Sequence, residues 1–318
     1  MAALPSYAQS LGHGIHAIDT GFHRPLFDAS YLVVEKGRAA FVDTGTNHAV
    51  PRLLGTLAAL GLAPEDVDFV IPTHVHLDHA GGVGLLMQHL PRATAWVHPR
   101  GVRHMVDPSA LVAGATAVYG EAEMEKSYGR IVGVPAERVR ETADHMTIEL
   151  AGRPLTFLDA PGHARHHHAV WDARSRGFFT GDTFGLSYRE FDTAAGAWII
   201  PTTTPVQFEP GPLRATVLRL MSYRPDSIYL THYGRIGDVQ RLGADLLEQL
   251  DAMVTLGRSL RDAPDRHEAI KRGLMQQYQA RVAAHGCRFT PDEVERLLAM
   301  DTELNAQGMG IWLDKEAA

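Results

Sequence analysis

Thr73-His74-Val75-His76-Leu77-Asp78-His79, closed by Gly81-Gly82, follows directly on the apolar run Val67 to Pro72. A short apolar run bounded by polar and glycine residues has the length of a buried strand, so Thr73 to Gly82 reads as the loop that leaves it. That loop packs three histidines and an aspartate into six residues. An isolated H-x-H would pass for a polar surface loop, but H-x-H-x-D-H followed by two glycines would not. Imidazole and carboxylate suit Zn²⁺, and also Fe or Mn. A loop of this spacing can point His74 and His76 at one ion while Asp78 and His79 face another. Gly81 and Gly82 then let the backbone turn tightly into the next helix.

A metal centre needs further ligands, and three stand at the ends of later strand-like runs. His163 lies in Asp159-Ala160-Pro161-Gly162-His163 after Leu155 to Leu158. Asp182 lies in Thr180-Gly181-Asp182 after Phe178-Phe179, and His232 lies in Thr231-His232-Tyr233-Gly234 after Ile228 to Leu230. Loops carried on a rigid scaffold are where sites are commonly built. Each residue alone could be incidental, whereas together they form a pattern.

Around these motifs the chain alternates strands and helices. Tyr31 to Val34 and Ala39 to Val42 pair through Lys36-Gly37-Arg38. Val50, Leu53, Leu54, Leu57 and Leu60 have helical spacing. Gly84 to Leu90 is expected to be helical and Ala93 to Val97 a strand. Arg100 to Arg130, rich in small residues and helix formers, is expected to be a helical insertion, with no strand until about Met146. Ala169 to Trp171 is a further strand. Beyond Gly237 an apolar stripe of Leu242, Leu246, Leu250, Met253 and Val254 marks a helix. Thr290-Pro291-Asp292-Glu293 is a capping box with proline at the first helical position. The expected organisation is a catalytic domain over 1–237 with its insertion at about 100–130, and a helical C-terminal extension over 238–318. That extension would cover the core or make a homodimer contact.

The H-x-H-x-D-H motif, the later Gly-His, Gly-Asp and Thr-His elements, and their order resemble the metallo-β-lactamase superfamily from about Ile15 to Gly234. The resemblance implies an α/β (α+β) fold, an αββα sandwich with two divalent ions at one edge of its sheets. It implies that His74, His76 and His163 bind the first metal, that Asp78, His79 and His232 bind the second, and that Asp182 bridges them. Zn is the first expectation, with Fe or Mn suited by the same ligands. Asp43, in Phe41-Val42-Asp43-Thr44-Gly45, matches the superfamily's first motif and would orient a ligand histidine. Of His166, His167 and His168, which follow His163, His166 or His167 would stand behind the ligands.

Two such ions lower the pKa of a bridging water, and the hydroxide attacks a carbonyl or phosphoryl centre. Asp78 would pass the proton to the leaving group. No ligand position is Cys, unlike the commonest zinc β-lactamases, and His76 stands where flavodiiron-type oxidoreductases have Glu. The resemblance therefore leads to hydrolysis of carboxylic esters, most plainly lactones or thioesters of small acyl compounds, with phosphodiester or phosphotriester hydrolysis as the alternative. A regulatory binding protein that retains the fold is a third reading. Val97 to Gly101, Pro161 to His167 and Thr204 to Phe208 resemble the lactonase-like and thioesterase-like branch. Compact acyl-homoserine lactonases, however, place a Tyr three residues after the bridging Asp. Here that residue is Gly185, and the nearest Tyr is Tyr188. Phe22, Phe184, Tyr188 and Phe208 are the candidates for a substrate pocket, with Phe27, Phe191 and Trp198 as further aromatics on nearby loops. His98 and His104 could approach its mouth.

Composition bounds the rest. The 318 residues carry a net charge of -7 with 18 histidines neutral, and no Lys/Arg run stands out. A backbone-driven nucleic-acid binder needs a basic footprint, so nucleic acid is not an expected partner. No apolar run approaches the roughly 18 residues of a membrane span. Met1 to Gly14 lacks the basic and apolar regions of a signal peptide. Cys287, the one cysteine, cannot form an internal disulfide, and a cytoplasmic location is the expectation.

Overall fold

The computed structural model describes residues 3–203 and 205–317, so Thr204 of the Thr204 to Phe208 stretch lies outside the described residues. The chain divides into two compact units. The first comprises Met1–Asp159, His166–Gly181 and Asp226–Gly237; the second comprises Ala160–Arg165, Asp182–Pro225 and Asp238–Ala318.

The first unit holds two sheets. One runs in chain order through β1 (Ala8–Gly12), β2 (Ile15–Asp19), β3 (Ala29–Glu35), β4 (Arg38–Val42), β5 (Val67–Ile71), β6 (Thr94–Val97) and β7 (Val139–Glu141). Its first three pairings are antiparallel and its last three parallel. The other sheet comprises β8 (Thr147–Leu150), β9 (Arg153–Asp159), β10 (His168–Asp172), β11 (Gly177–Gly181), β12 (Ser227–Leu230) and β13 (Gly234–Ile236). It runs in the order β13-β12-β11-β10-β9-β8. There only β11 and β12 pair in parallel.

Alternation along β3 and β4 explains the layering. Leu32 and Phe41 point into an apolar cluster shared with Val50, Leu53 and Leu57 of helix α1 (Val50–Ala59). Tyr31, Val33, Ala40 and Val42 point the other way, into a core shared with Phe157, Val170 and Phe179 of the second sheet. Successive strand residues face opposite sides, so strands buried on both faces read as nearly continuous apolar runs. The remaining helices of this unit are α2 (Leu77–Ala80), α3 (Val83–His89), α4 (Val102–Val106), α5 (Ser109–Tyr119) and α6 (Glu121–Tyr128). The last three follow one another between residues 102 and 128.

The second unit carries α7 (Pro210–Ser222), α8 (Val239–Ser259), α9 (Arg266–Ala284) and α10 (Pro291–Ala317). Thr290 closes the expected capping box: its backbone N–H donates to Glu293 Oε2 at 2.7 Å, and its Oγ1 accepts from the Glu293 N–H at 3.4 Å. The fold is the mixed α/β two-sheet architecture with C-terminal helices that the resemblance implied.

Some elements differ from expectation. β7 lies ahead of Met146, where no strand was expected; at three residues, only Val139 of them buried, it is too short to show a period. β1 has mostly exposed or half-buried residues and shows no alternation. Leu77–Ala80 is a helical turn rather than plain loop, made by Ala80 N–H donating to the His76 carbonyl at 2.8 Å. Among the described residues, no helix is long and apolar enough to cross a membrane.

Candidate metal centre

β4, β5 and β6 run in parallel, so the loops after them leave one edge of the first sheet. Asp43 follows β4 and His74 to His79 follow β5. The turn α2 then sets Asp78 and His79 side by side, and the His79 carbonyl accepts from the Thr44 N–H at 2.8 Å and the Thr44 hydroxyl at 3.0 Å. From the second sheet, Thr231 and His232 follow β12. Thr231 closes the gap between sheets: its carbonyl accepts from Ala29 N–H at 2.8 Å, and its hydroxyl donates to Asp43 Oδ2 at 2.7 Å.

Asp78, His79 and His232 each offer one ligand atom within 4.8 Å of one another. The Asp78 Oδ2 is 3.7 Å from His79 Nε2 and 3.3 Å from His232 Nε2. Both rings are held from behind. His79 Nδ1 donates to Asp43 Oδ2 at 2.9 Å, and His232 Nδ1 donates to the Phe27 carbonyl at 2.9 Å. A carboxylate and a carbonyl only accept, so in each ring the neutral tautomer carries its proton on Nδ1 and turns the Nε2 lone pair toward Asp78. Two nitrogen lone pairs and a carboxylate oxygen, with the outer ring nitrogens anchored, are a donor set that a divalent cation satisfies. The residues present fit a metal.

Beside this trio, His74 Nε2 lies 2.7 Å from His76 Nδ1, and His74 Nδ1 lies 3.2 Å from the Thr73 hydroxyl. His167, fully buried, stacks on the His74 ring with centroids 4.7 Å apart. His166 stands edge-on to His76 at 5.4 Å, and His104 is one ring further out, 6.4 Å from His166. His168 turns away: its Nδ1 lies 2.9 Å from the Thr142 hydroxyl, and burial first, then the neighbouring His98, pushes its pKa down to about 3. His98 donates to Asp159 at 2.9 Å and lines a cavity of about 220 Å³ with Thr142, Asp144 and His168.

In the second unit, His163 Nε2 lies 3.2 Å from Asp182 Oδ2, and His163 Nδ1 lies 3.4 Å from the Thr202 carbonyl. Phe184, Tyr188 and Phe208 are all buried there. The Tyr188 hydroxyl donates to Asp301 Oδ1 at 3.0 Å, and Phe208 packs edge-on against Trp312. Gly185 has φ +76°, and a Cβ on it would stand 2.3 Å from the Ile200 carbonyl oxygen. No tyrosine could occupy that position without moving the backbone.

A second cavity, of about 350 Å³, opens in the first unit between the loop after β2 and α6. Phe22, His23, His48, Glu123, Lys126 and Ser127 line it. The Phe22 ring lies tilted against Tyr128 of α6, with centroids 5.5 Å apart. Phe27 sits edge-on to both His23, a residue of the cavity wall, at 5.3 Å, and His232 of the trio, at 5.2 Å.

Sequence reasoning missed Thr73, Thr231, Asp28 and the Phe27 carbonyl. Thr73 and Thr231 adjoin the motif histidines, which was the available signal. Asp28 is wholly buried and takes a 2.7 Å hydrogen bond from the Thr20 hydroxyl; burial pushes its carboxyl up to about 7, against the lowering effect of His232, His79 and Thr20. Nothing in the linear pattern marks it.

Residues 23–232 match the family model described as the metallo-beta-lactamase superfamily. The chain belongs to that superfamily. It is 25% identical over 198 residues to the metallo-beta-lactamase fold-containing protein ST1585 of Sulfurisphaera tokodaii, across 61% of this chain and 68% of that protein. It is 36% identical over 169 residues to the hydroxyacylglutathione hydrolase of Cupriavidus taiwanensis, across 51% of this chain and 52% of that enzyme. The chain thus spans about half the length of that relative. The crystal structure of the family protein TTHA1429 from Thermus thermophilus superposes with a TM-score of 0.68 at 22% identity, covering 97% of this chain and 96% of that one.

Proposed function

We propose that this protein is a dinuclear metal-dependent hydrolase of carboxylic esters, with thioesters of small acyl compounds as its first substrate class. The observation that carries the proposal is the convergence of Asp78, His79 and His232 with both ring Nδ1 atoms anchored. Asp78, His79 and His232 would hold one ion, and His74, His76 and His163 the other, with Asp182 shared. Zn is the first candidate, Fe or Mn the alternatives. Divalent ions held there supply charge that polarises a carbonyl oxygen and lowers the pKa of a water.

The chain's own groups do the rest. Asp43 and the Phe27 carbonyl keep the His79 and His232 rings in one tautomer and one orientation. Asp78, whose side chain is 24% exposed, is open enough to take a proton from water and deliver it to the leaving group, while His79 and His232 are buried. The 350 Å³ cavity beside Phe22 has the volume of a small-molecule subsite and both charge signs on its wall. It would receive the polar end of the substrate.

Similarity to hydroxyacylglutathione hydrolases, which are thioester hydrolases, supports thioesters over phosphate esters. Lactones are a weaker second choice, because Gly185 excludes the tyrosine that compact lactonases carry and Tyr188 is engaged by Asp301. The test is a parallel assay of metal-loaded protein on an acyl thioester, a homoserine lactone and a chromogenic phosphodiester, alongside Asp182→Ala. Thioester turnover that disappears in the variant, together with most of its bound metal, is the expected result. Turnover of the phosphodiester alone, or a variant with two metals and normal rates, would overturn the assignment.

A further inference from the structure

Asn305, in the middle of α10, has a fully buried side chain with every amide group used. Its Oδ1 accepts from the Thr203 backbone N–H at 2.7 Å. Its Nδ2 donates to the Pro201 carbonyl at 3.2 Å and to the Tyr278 hydroxyl at 2.9 Å. The amide's orientation follows from its partners, since a backbone N–H only donates and a carbonyl only accepts. Asn305 therefore grips the chain on both sides of Thr202. The Thr203 hydroxyl adds contacts of 3.3 Å to the Leu304 and Asn305 carbonyls, and Gln249 of α8 holds the Ile199 carbonyl at 2.6 Å.

The residue so bracketed is the one whose carbonyl faces His163 Nδ1. A ligating histidine is set by what its second nitrogen donates to, and loss of that partner costs about 10–100-fold in metal affinity. His79 has Asp43 in this role and His232 has the Phe27 carbonyl, both supplied from the first unit. For His163 the partner is a loop carbonyl, and a carbonyl is only as fixed as the peptides that flank it.

We infer that Asn305 is a positioning residue for the metal centre: through Pro201 and Thr203 it aims the Thr202 carbonyl at His163 and so sets that histidine's tautomer and direction. On this view the C-terminal helices, beyond any role in packing or docking, are part of the ligand scaffold. The inference rests on the proposed metal-binding role of His163.

The experiment is a Zn²⁺ competition titration against a chromogenic chelator, run on the full chain. His163→Ala identifies which class of site contains His163. Asn305→Ala should weaken that same class by about 10–100-fold and leave the other class at its wild-type affinity. Tyr278→Phe, which removes one amide contact but neither grip on the loop, should leave both classes unchanged. If Asn305→Ala does not fold, Thr203→Val carries the test, with a smaller loss in the same class. Unchanged affinities in a folded variant overturn the inference, as does equal weakening of both classes, which a general loosening would produce. A wild-type chain that binds no Zn²⁺, or a His163→Ala chain with both classes intact, instead removes the metal-centre reading and the inference with it.

Discussion

The Asp43 Oδ2 atom lies 2.9 Å from His79 Nδ1, and both side chains are sealed from solvent. That oxygen also accepts from the hydroxyls of Thr73, at 3.0 Å, and Thr231, at 2.7 Å, while Oδ1 accepts from the Thr73 backbone N–H at 2.7 Å. One carboxylate thus ties together the ends of β4, β5 and β12. It links the fold's closure to the direction of a candidate ligand.

Asp43→Asn tests that link. The hydroxyls of Thr73 and Thr231 can rotate, but the Thr73 N–H and the His79 Nδ1–H cannot. Whichever oxygen becomes the NH₂ group, one fixed donor then faces another donor. The variant should lose about 10–100-fold in metal affinity and about 1–3 kcal/mol of stability, read by chelator competition and urea denaturation. Wild-type metal affinity in this variant would sink the orienting role.

Gly181, the last residue of β11, has φ +48°, and a Cβ there would meet Thr73 Oγ1 at 2.4 Å and His167 Nε2 at 2.7 Å. Gly181→Ala therefore combines backbone strain of about 1–2 kcal/mol with overpacking of about 1–3 kcal/mol. Because His167 stacks on His74, metal affinity should fall along with stability. Equilibrium unfolding together with a metal titration checks both; a variant as stable as wild type would refute the close packing of β11 on the loop after β5.

His168 provides a pH signature. Its pKa in the folded chain is depressed to about 3, chiefly by burial, whereas an unfolded histidine titrates near 6.5. Between these values the unfolded chain binds more protons. Its contribution is thus fully present above pH 6.5 and is lost as pH falls toward 3, by up to about 1.4 kcal/mol per pH unit. His168→Asn should flatten that slope relative to wild type in denaturation series between pH 4 and 7. Parallel slopes would mean that the ring is not neutral in the fold.

The sequence by itself determined the residue types of the candidate centre and much of the order of strands and helices. His74 to His79 stand in a row after an apolar run, and lone-pair donors at that density have few uses other than a metal. The long apolar stripes of α1 and α8 were legible because a helix repeats its buried face over several turns. Short elements such as β7 escaped, since three residues cannot show a period. Only the tertiary structure decided what stands behind the candidate ligands. The Phe27 carbonyl, Thr231 and Asn305 act through backbone groups or through partners as far as 205 residues away. A carbonyl carries no side-chain signature, and a buried Asn in a helix looks like any other polar residue until its partners are in place. Ligand identity is a property of side chains, which a sequence states; ligand direction is a property of what surrounds them, which folding alone supplies.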